Sequence, residues 1–267
     1  MVRTFARGRV YLISRSLICI INAIAIGTLL FRPSHALTYV IDVVLRAYLV
    51  FLGTVMAHEG VHGHLGASRR ANLWWGRLAL LPSMVPFTNF HKTHRLHHAH
   101  TNIPDKDPDY FLRSRHPLEI PLRAVAMPHH WFFWLRSRGL LTSGDVVELF
   151  LNYLGIAALY GLVAFTTGVD RVIAGMAPTL LITSLLLWYP FAIQTHEGYS
   201  TGSEPSRSHN YYGRFMYWFS LGLSMHRVHH IKPWLSWLEM KDYVEDAPPG
   251  PTRLLPRRDI RLDSPVS

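Results

Sequence analysis

Cysteine is nearly missing: one residue, Cys19, in a chain of 267, and it sits in an apolar run. A single thiol cannot form an internal disulfide, a cysteine-rich zinc site or a thiolate-held iron–sulfur cluster. Charge is scarce too. Asp, Glu, Lys and Arg make up 16% of the residues, against about a quarter in soluble domains. The chain has neither a His-Pro-Gly-Gly haem motif nor a Gly-rich dinucleotide fingerprint, so it carries no reductase module of those kinds. Acidic residues are few, 17 against 27 basic ones, which leaves a net charge of +10. Such an excess suits either nucleic-acid binding or the flanks of membrane spans, and the apolar runs decide for the membrane, with no nucleic-acid partner.

Four segments are apolar over nearly the ~20 residues a bilayer core requires: 16–31, 37–57, 146–166 and 172–194. The first, with arginines before it and Ser34-His35-Ala36 after it, has some features of a cleavable signal. It reads better as a retained span that turns at Arg32–Pro33–Ser34 into the second. Arg3, Arg7, Arg9 and Arg15 precede span one, and basic residues crowd 58–145 and 197–261, whereas the outer turns hold only Arg32 and Arg171. The positive-inside rule then puts both termini and both long loops in the cytoplasm, as in a bacterial inner-membrane protein. The expected fold is all-α: an integral membrane bundle of about four transmembrane helices under a cytosolic helical cap. One domain is expected over 1–245, followed by a flexible Pro/Arg-rich tail at 246–267.

Between the spans, Leu78–Phe90 is broken by Pro82 and Pro86, too short to cross. Pro117–Leu141, with Trp131 and Trp134, predicts an amphipathic interfacial helix. Tyr211–Met225 predicts an apolar helix running straight into the third histidine cluster. Within span two, Asp42 and Arg46 stand at i and i+4 and predict an intrahelical ion pair, since either alone would be costly in lipid.

Histidine is what this chain has in place of cysteine. HRLHH at 94–98 and HRVHH at 226–230 place imidazoles at i, i+3 and i+4, and HEGVH at 58–62 places two at i and i+4, one face of a helix in each case. Eight imidazoles exceed what one metal accepts, so the pattern implies a polynuclear site. Every cluster falls on the cytoplasmic side of the proposed topology, and His196 ends span four on that same side. HEGVH also fits the zinc-protease pattern HExxH, with Glu59 as general base. That reading leaves six clustered histidines idle. A metal transporter would hold its ligands nearer the bilayer midplane. Ligand type alone does not choose between iron, zinc and copper.

Taken together, His58-to-Gly63, the stretch HRLHHAHTNIPDKDPDYF at 94–111 and HRVHHIKPWLSW at 226–237 resemble the superfamily of membrane di-iron fatty acid desaturases and carotenoid hydroxylases or ketolases. The resemblance covers roughly residues 50–240. It implies two irons held by His58, His62, His94, His97, His98, His196, His226, His229 and His230, with no catalytic side chain beyond them. It also implies dioxygen as co-substrate. Two departures stand out: Glu59 replaces a common Asp, and Ala192 stands where some members have Asn. Glu59, Asp105, Asp107 and Asp109 are candidates to accept the free N–H of ligating imidazoles. His91 and His100 flank the second box, and His64 is expected to face differently from His58 and His62 on a continuing helix and not to be a ligand. The expected activity is a fatty-acyl or lipid desaturase, with a carotenoid hydroxylase or ketolase as the alternative. The substrate would be a membrane lipid, and Trp74, Trp75, Phe87, Phe90, Trp188, Trp218 and Phe219 are tunnel or packing candidates. Electrons would come from a separate ferredoxin-like protein or small cytochrome, steered by Arg69, Arg70, Arg95, Arg227 and Lys232.

Overall fold

A computed structural model describes residues 7–114, 116–197, 208–211 and 213–241. The 246–267 tail lies outside the described residues. The described chain is helical throughout, without a strand. Its helices are α1 (Arg7–Gly27), α2 (Ala36–Val61), α3 (Arg69–Leu80), α4 (Phe87–His100), α5 (Ile120–Ser137), α6 (Ser143–Thr167), α7 (Val169–Ile182), α8 (Arg214–Phe219) and α9 (His226–Ile231). Four segments are long and apolar enough to cross a membrane: Arg7–Leu30, Ala36–Val61, Ser143–Thr167 and Val169–His196.

Each span exceeds its apolar run because polar residues at its ends find partners. The first helix begins at Arg7, well before the apolar run at Ser16. Arg15 is accommodated inside it by donating to the Leu65 carbonyl at 2.7 Å and lying over the Trp75 ring at 5.3 Å. α6 opens on a reciprocal cap: Thr142 accepts from the Asp145 amide at 3.2 Å, and the Asp145 carboxylate accepts from the Thr142 amide at 2.7 Å. It stops at Gly168, whose φ of 99° suits a residue without Cβ. The tight turns share one side of the bundle, where Arg32 reaches from the first to the Thr167 carbonyl of the second at 2.9 Å.

The ion pair expected in α2 is present, and a third charge joins it. Arg46 lies 2.5 Å from Asp42, and Arg171 of α7 lies 3.0 Å from the same carboxylate oxygen. Arg46 is fully buried and lies ten residues, about 15 Å, along α2. It also donates to Thr28 at 3.0 Å and to the Gly175 carbonyl at 3.1 Å. Arg171 donates to the carbonyls of Thr28 and Phe31, at 3.0 and 2.7 Å, where the first span has run out of intrahelical donors. One carboxylate thus bridges two guanidinium groups, and Arg171 also caps the end of the first span, locking spans one, two and four together.

At the opposite ends of the spans lie the helices of the cap. The Pro82/Pro86 segment separates α3 from α4 as its prolines require. Gly76 makes room there for Phe87, whose ring atoms lie 2.3 Å from where a Cβ would stand. The 117–141 segment is helical at Ile120–Ser137, but it is a packed wall as much as an interfacial helix. It buries Ala124, Met127, Trp131, Trp134 and Leu135 and exposes Leu122 and Phe133.

The continuous helix expected over 211–225 does not form. α8 ends at Phe219, and a turn with Leu221 at φ 46° and Gly222 at φ 82° intervenes before α9. A Cβ on Gly222 would meet the Trp237 carbonyl at 3.2 Å, so close approach and left-handed backbone both call for glycine. Apolar periodicity continues through this segment but does not report such a break.

The charge balance in the bundle is open to a direct test. Asp42→Asn leaves two buried guanidiniums without a counter-charge and should destabilise the chain by about 3–5 kcal/mol. Thermal unfolding in detergent micelles measures this; a loss under about 1 kcal/mol would mean the cluster is not a structural lock.

Candidate metal centre

The nine expected histidines come from four separate pieces of chain and converge. α2 supplies His58 and, at its C-cap, His62; α4 supplies His94, His97 and His98; α9 supplies His226, His229 and His230. His196 arrives differently. After α7 the fourth span widens over Thr183–Ile193 into an i→i+5 helix, with the Gln194 amide closing on the Tyr189 carbonyl, and then tightens over Gln194–His196. Pro190, lacking an N–H, lies inside this wide stretch, and wide turns of this sort gather at functional sites.

The rings sort into two sets. His58, His62, His94, His98 and His229 have ligand atoms within 4.8 Å of one another; so do His97, His196, His226 and His230. The sets abut where His98 of the first stacks on His230 of the second, with centroids 4.1 Å apart and planes 6° apart. In the five-histidine set, the Nε2 atoms of His62 and His94, of His94 and His98, and of His98 and His229 each stand 3.0 Å apart. In the four-histidine set, the Nε2 separations are 3.1 Å for His97–His196, 2.8 Å for His196–His226 and 3.2 Å for His226–His230.

Such spacings test the fit of a metal. Ligands about 2.1 Å from a common centre, the usual metal–imidazole length, stand about 3.0 Å apart along the edge of an octahedron. Hydrogen bonding is a poor alternative. The Nδ1 of His97 is held by Asp107 at 3.0 Å, so only its Nε2 is turned to the neighbouring rings. The Nε2 of His58 is buried without any partner. Burial and mutual repulsion hold His62, His94, His98, His226, His229 and His230 well below the ordinary imidazole value, as neutral donors. The donor set fits metal ions that accept imidazole.

Around this shell the carboxylates divide. Asp107 accepts from His97 and from the amides of Asp109 at 2.9 Å and Asn102 at 2.8 Å, fixed on three sides. Asp109 lies 3.7 Å from His97 and accepts from the Trp131 indole at 2.9 Å. Burial raises the Asp109 carboxyl to about 6 despite His97. Burial would lower His97, yet the charge and hydrogen bond of Asp107, with Asp109 behind it, outweigh that and push it to about 9. Asp105 departs from expectation: it is exposed in a left-handed turn, and its carbonyl accepts from Arg138. Glu59 also takes another place. It lies 3.9 Å from the Nδ1 of His58, too far for a hydrogen bond, and accepts instead from His64 at 2.9 Å and the Trp237 amide at 3.0 Å. It thereby ties the first box to the chain after the third.

Two residues that hold His196 were not singled out in the sequence. Asn102 donates to the His196 carbonyl at 3.0 Å, and Arg113 donates to it at 2.6 Å. The Thr-Asn pair after the second box is the signal that carried this, but neither residue type is a metal ligand by habit. His91 and His100 belong to neither set. Among the aromatic candidates, Phe90 stacks on His94 at 5.6 Å and meets Trp131 and Trp188 at 5.7 and 6.0 Å, forming an apolar wall. Trp74 and Trp75 instead line a groove against α6, and Phe219 packs on Tyr48.

Comparison with known proteins agrees with this geometry. The sequence model of one family, described as fatty acid desaturase, matches residues 34–257. The chain is 25% identical over 132 residues to the sn-1 acyl-lipid omega-3 desaturase (ferredoxin) of Synechocystis, covering 42% of this chain and 37% of that protein. It is 38% identical over 53 residues to the omega-3 fatty acid desaturase fat-1 of Caenorhabditis elegans, covering 20% of this chain and 13% of the relative. The aligned stretches thus span well under half the length of these curated relatives.

The His97–Asp107 pair yields two measurable consequences. Asp107→Asn should lower metal affinity by about 10–100-fold, read by chelator competition. In metal-free protein the His97 value stands above the ordinary 6.5, so the pair's stabilisation is complete below 6.5 and is lost as pH rises through about 9. Melting temperature should fall across that window, and Asp107→Asn should flatten the slope; an unchanged slope would mean that the pair does not titrate as described.

Proposed function

The chain belongs to the fatty acid desaturase family, and on that premise we propose that it is a membrane-bound, O2-dependent di-iron oxidase that desaturates an acyl chain. The observation that carries the proposal is the division of nine buried imidazoles into sets of five and four that touch. Each set would hold one iron. When bound and given two electrons, the irons supply the oxidising power of dioxygen against an unactivated C–H bond. The balance is one –CH2–CH2– unit, one O2, two electrons and two protons giving –CH=CH– and two waters.

The protein's part is placement and exclusion. The histidines would present their Nε2 atoms to the metals, and Asp107 holds the Nδ1 side of His97 so that its Nε2 is the nitrogen turned inward. Asn102 and Arg113 fix the carbonyl of His196, and with it the end of the wide helix. Phe90, backed by Trp131 and Trp188, covers His94 with apolar surface, which favours a hydrocarbon and disfavours water. No side chain is needed as nucleophile. The basic flanks support a cytoplasmic position for the histidine side and both termini. The printed name of the Synechocystis relative, which includes ferredoxin, supports a separate small carrier as the source of electrons. The names of the two relatives support an acyl substrate over a carotenoid.

Expression in a host whose lipids lack the product, followed by mass spectrometry of the acyl chains, tests the reading. A new acyl mass about 2 Da lower, absent when His196→Ala is expressed, is the expected result. A mass about 16 Da higher in a carotenoid or an acyl chain would replace desaturation by hydroxylation.

A further inference from the structure

The two histidine sets differ in their access to the outside. All four rings of the His97 set are buried, whereas His62 and His98 of the other set are only partly so. These two rings line an open cavity of about 690 Å³. Around its mouth stand Arg7, Arg69 and Arg95, all exposed, and among the described residues no Asp or Glu lines it. Other cations nearby are neutralised: Arg77 by Glu148 at 2.6 Å and Lys92 by Asp145 at 2.6 Å. Among the described residues, the three arginines of the mouth have no carboxylate within ion-pairing distance. Beside them Trp234, four residues past the third box, keeps 59% of its surface exposed.

Unneutralised arginines around an exposed tryptophan have the anatomy of a protein-docking surface, since Trp and Arg dominate binding hot spots. We propose that this mouth is the docking site of the electron carrier, and that its partner presents an acidic face that surrounds its own redox group. The proposal rests on the oxidase reading and specifies its partner. A partner seated on Arg7, Arg69, Arg95 and Trp234 brings its redox group closest to His62 and His98, so reduction enters at the five-histidine set. Each one-electron carrier leaves oxidised by one electron, and two visits supply the two electrons that one O2 consumes. The sealed set, backed by Asp107, lies on the far side from the donor. A lipid phosphate would satisfy the arginines as well, but it gives no role to an exposed indole at the rim.

The test measures binding and needs neither iron nor turnover. Full-length protein in detergent is titrated with an acidic plant-type [2Fe–2S] ferredoxin at low and moderate salt. Wild type should bind with an affinity that falls as salt rises. Arg69→Glu with Arg95→Glu should weaken binding by about tenfold or more and flatten the salt dependence. Trp234→Ala should weaken binding while leaving the salt dependence in place. Arg136→Glu with Arg214→Glu, the same charge change at exposed positions outside the mouth, should leave affinity within about twofold. Equal losses in both double variants, or none in the first, would overturn the proposal. Thermal unfolding of each variant confirms that the fold persists. A chain that oxidised no lipid could still pass this test, and an active desaturase could fail it.

Discussion

Nine imidazoles crowded until their nitrogens stand about 3 Å apart create a demand that shapes everything around them. The rings bring their nitrogens into a largely buried space, and burial forbids meeting the demand by protonating all of them. Shared cations would meet it; ordinary core packing would not. Much of the molecule follows as support. α2 must end where His58 and His62 are needed, and α4 must present three rings from one face. The fourth span must change pitch to deliver His196, and a turn must interrupt the chain before α9 so that its short helix comes in at its own angle.

Rigidity at that end is matched by rigidity at the other. Asp42, Arg46 and Arg171 lock three spans far from the histidines, where flexing would otherwise displace four pieces of chain relative to one another. Glu59 performs a comparable service nearer the site: it does not orient His58 but joins the first box to the backbone at Trp237. Outer support for the imidazoles is unequal. His97 has two carboxylates behind it, while the five-histidine set has its edge towards the basic mouth. That inequality gives the two sets different electrostatic surroundings and different access, although their donors are chemically alike.

Much of this was legible in the sequence, for physical reasons. Helical spacing in the three boxes put the rings on common faces, apolar runs fixed the spans, and a pair at i, i+4 gave away the Asp42–Arg46 bridge. His196 was placed on the right side by its position at the end of span four, but its part as a ligand came only through the family resemblance, because a lone histidine carries no spacing. The five-and-four division depends on crossing angles between helices distant in sequence, so no local pattern contains it. The same is true of Arg171, which lies 129 positions from Asp42. Asp105, Asp107 and Asp109 look equivalent in sequence. A left-handed turn at Asp105 separates the first from the other two. The break at Leu221–Gly222 was hidden for the opposite reason: the hydrophobic pattern runs straight through it.

The central claim is that the two sets are two metal sites. Metal content of the purified protein, grown with iron and measured by mass spectrometry against amino-acid analysis, tests it most directly. About two irons per chain are expected for the wild type, and about one for the His196→Ala variant, whose five-histidine set is intact. A single zinc per chain, or an iron content that His196→Ala leaves unchanged, would contradict the account.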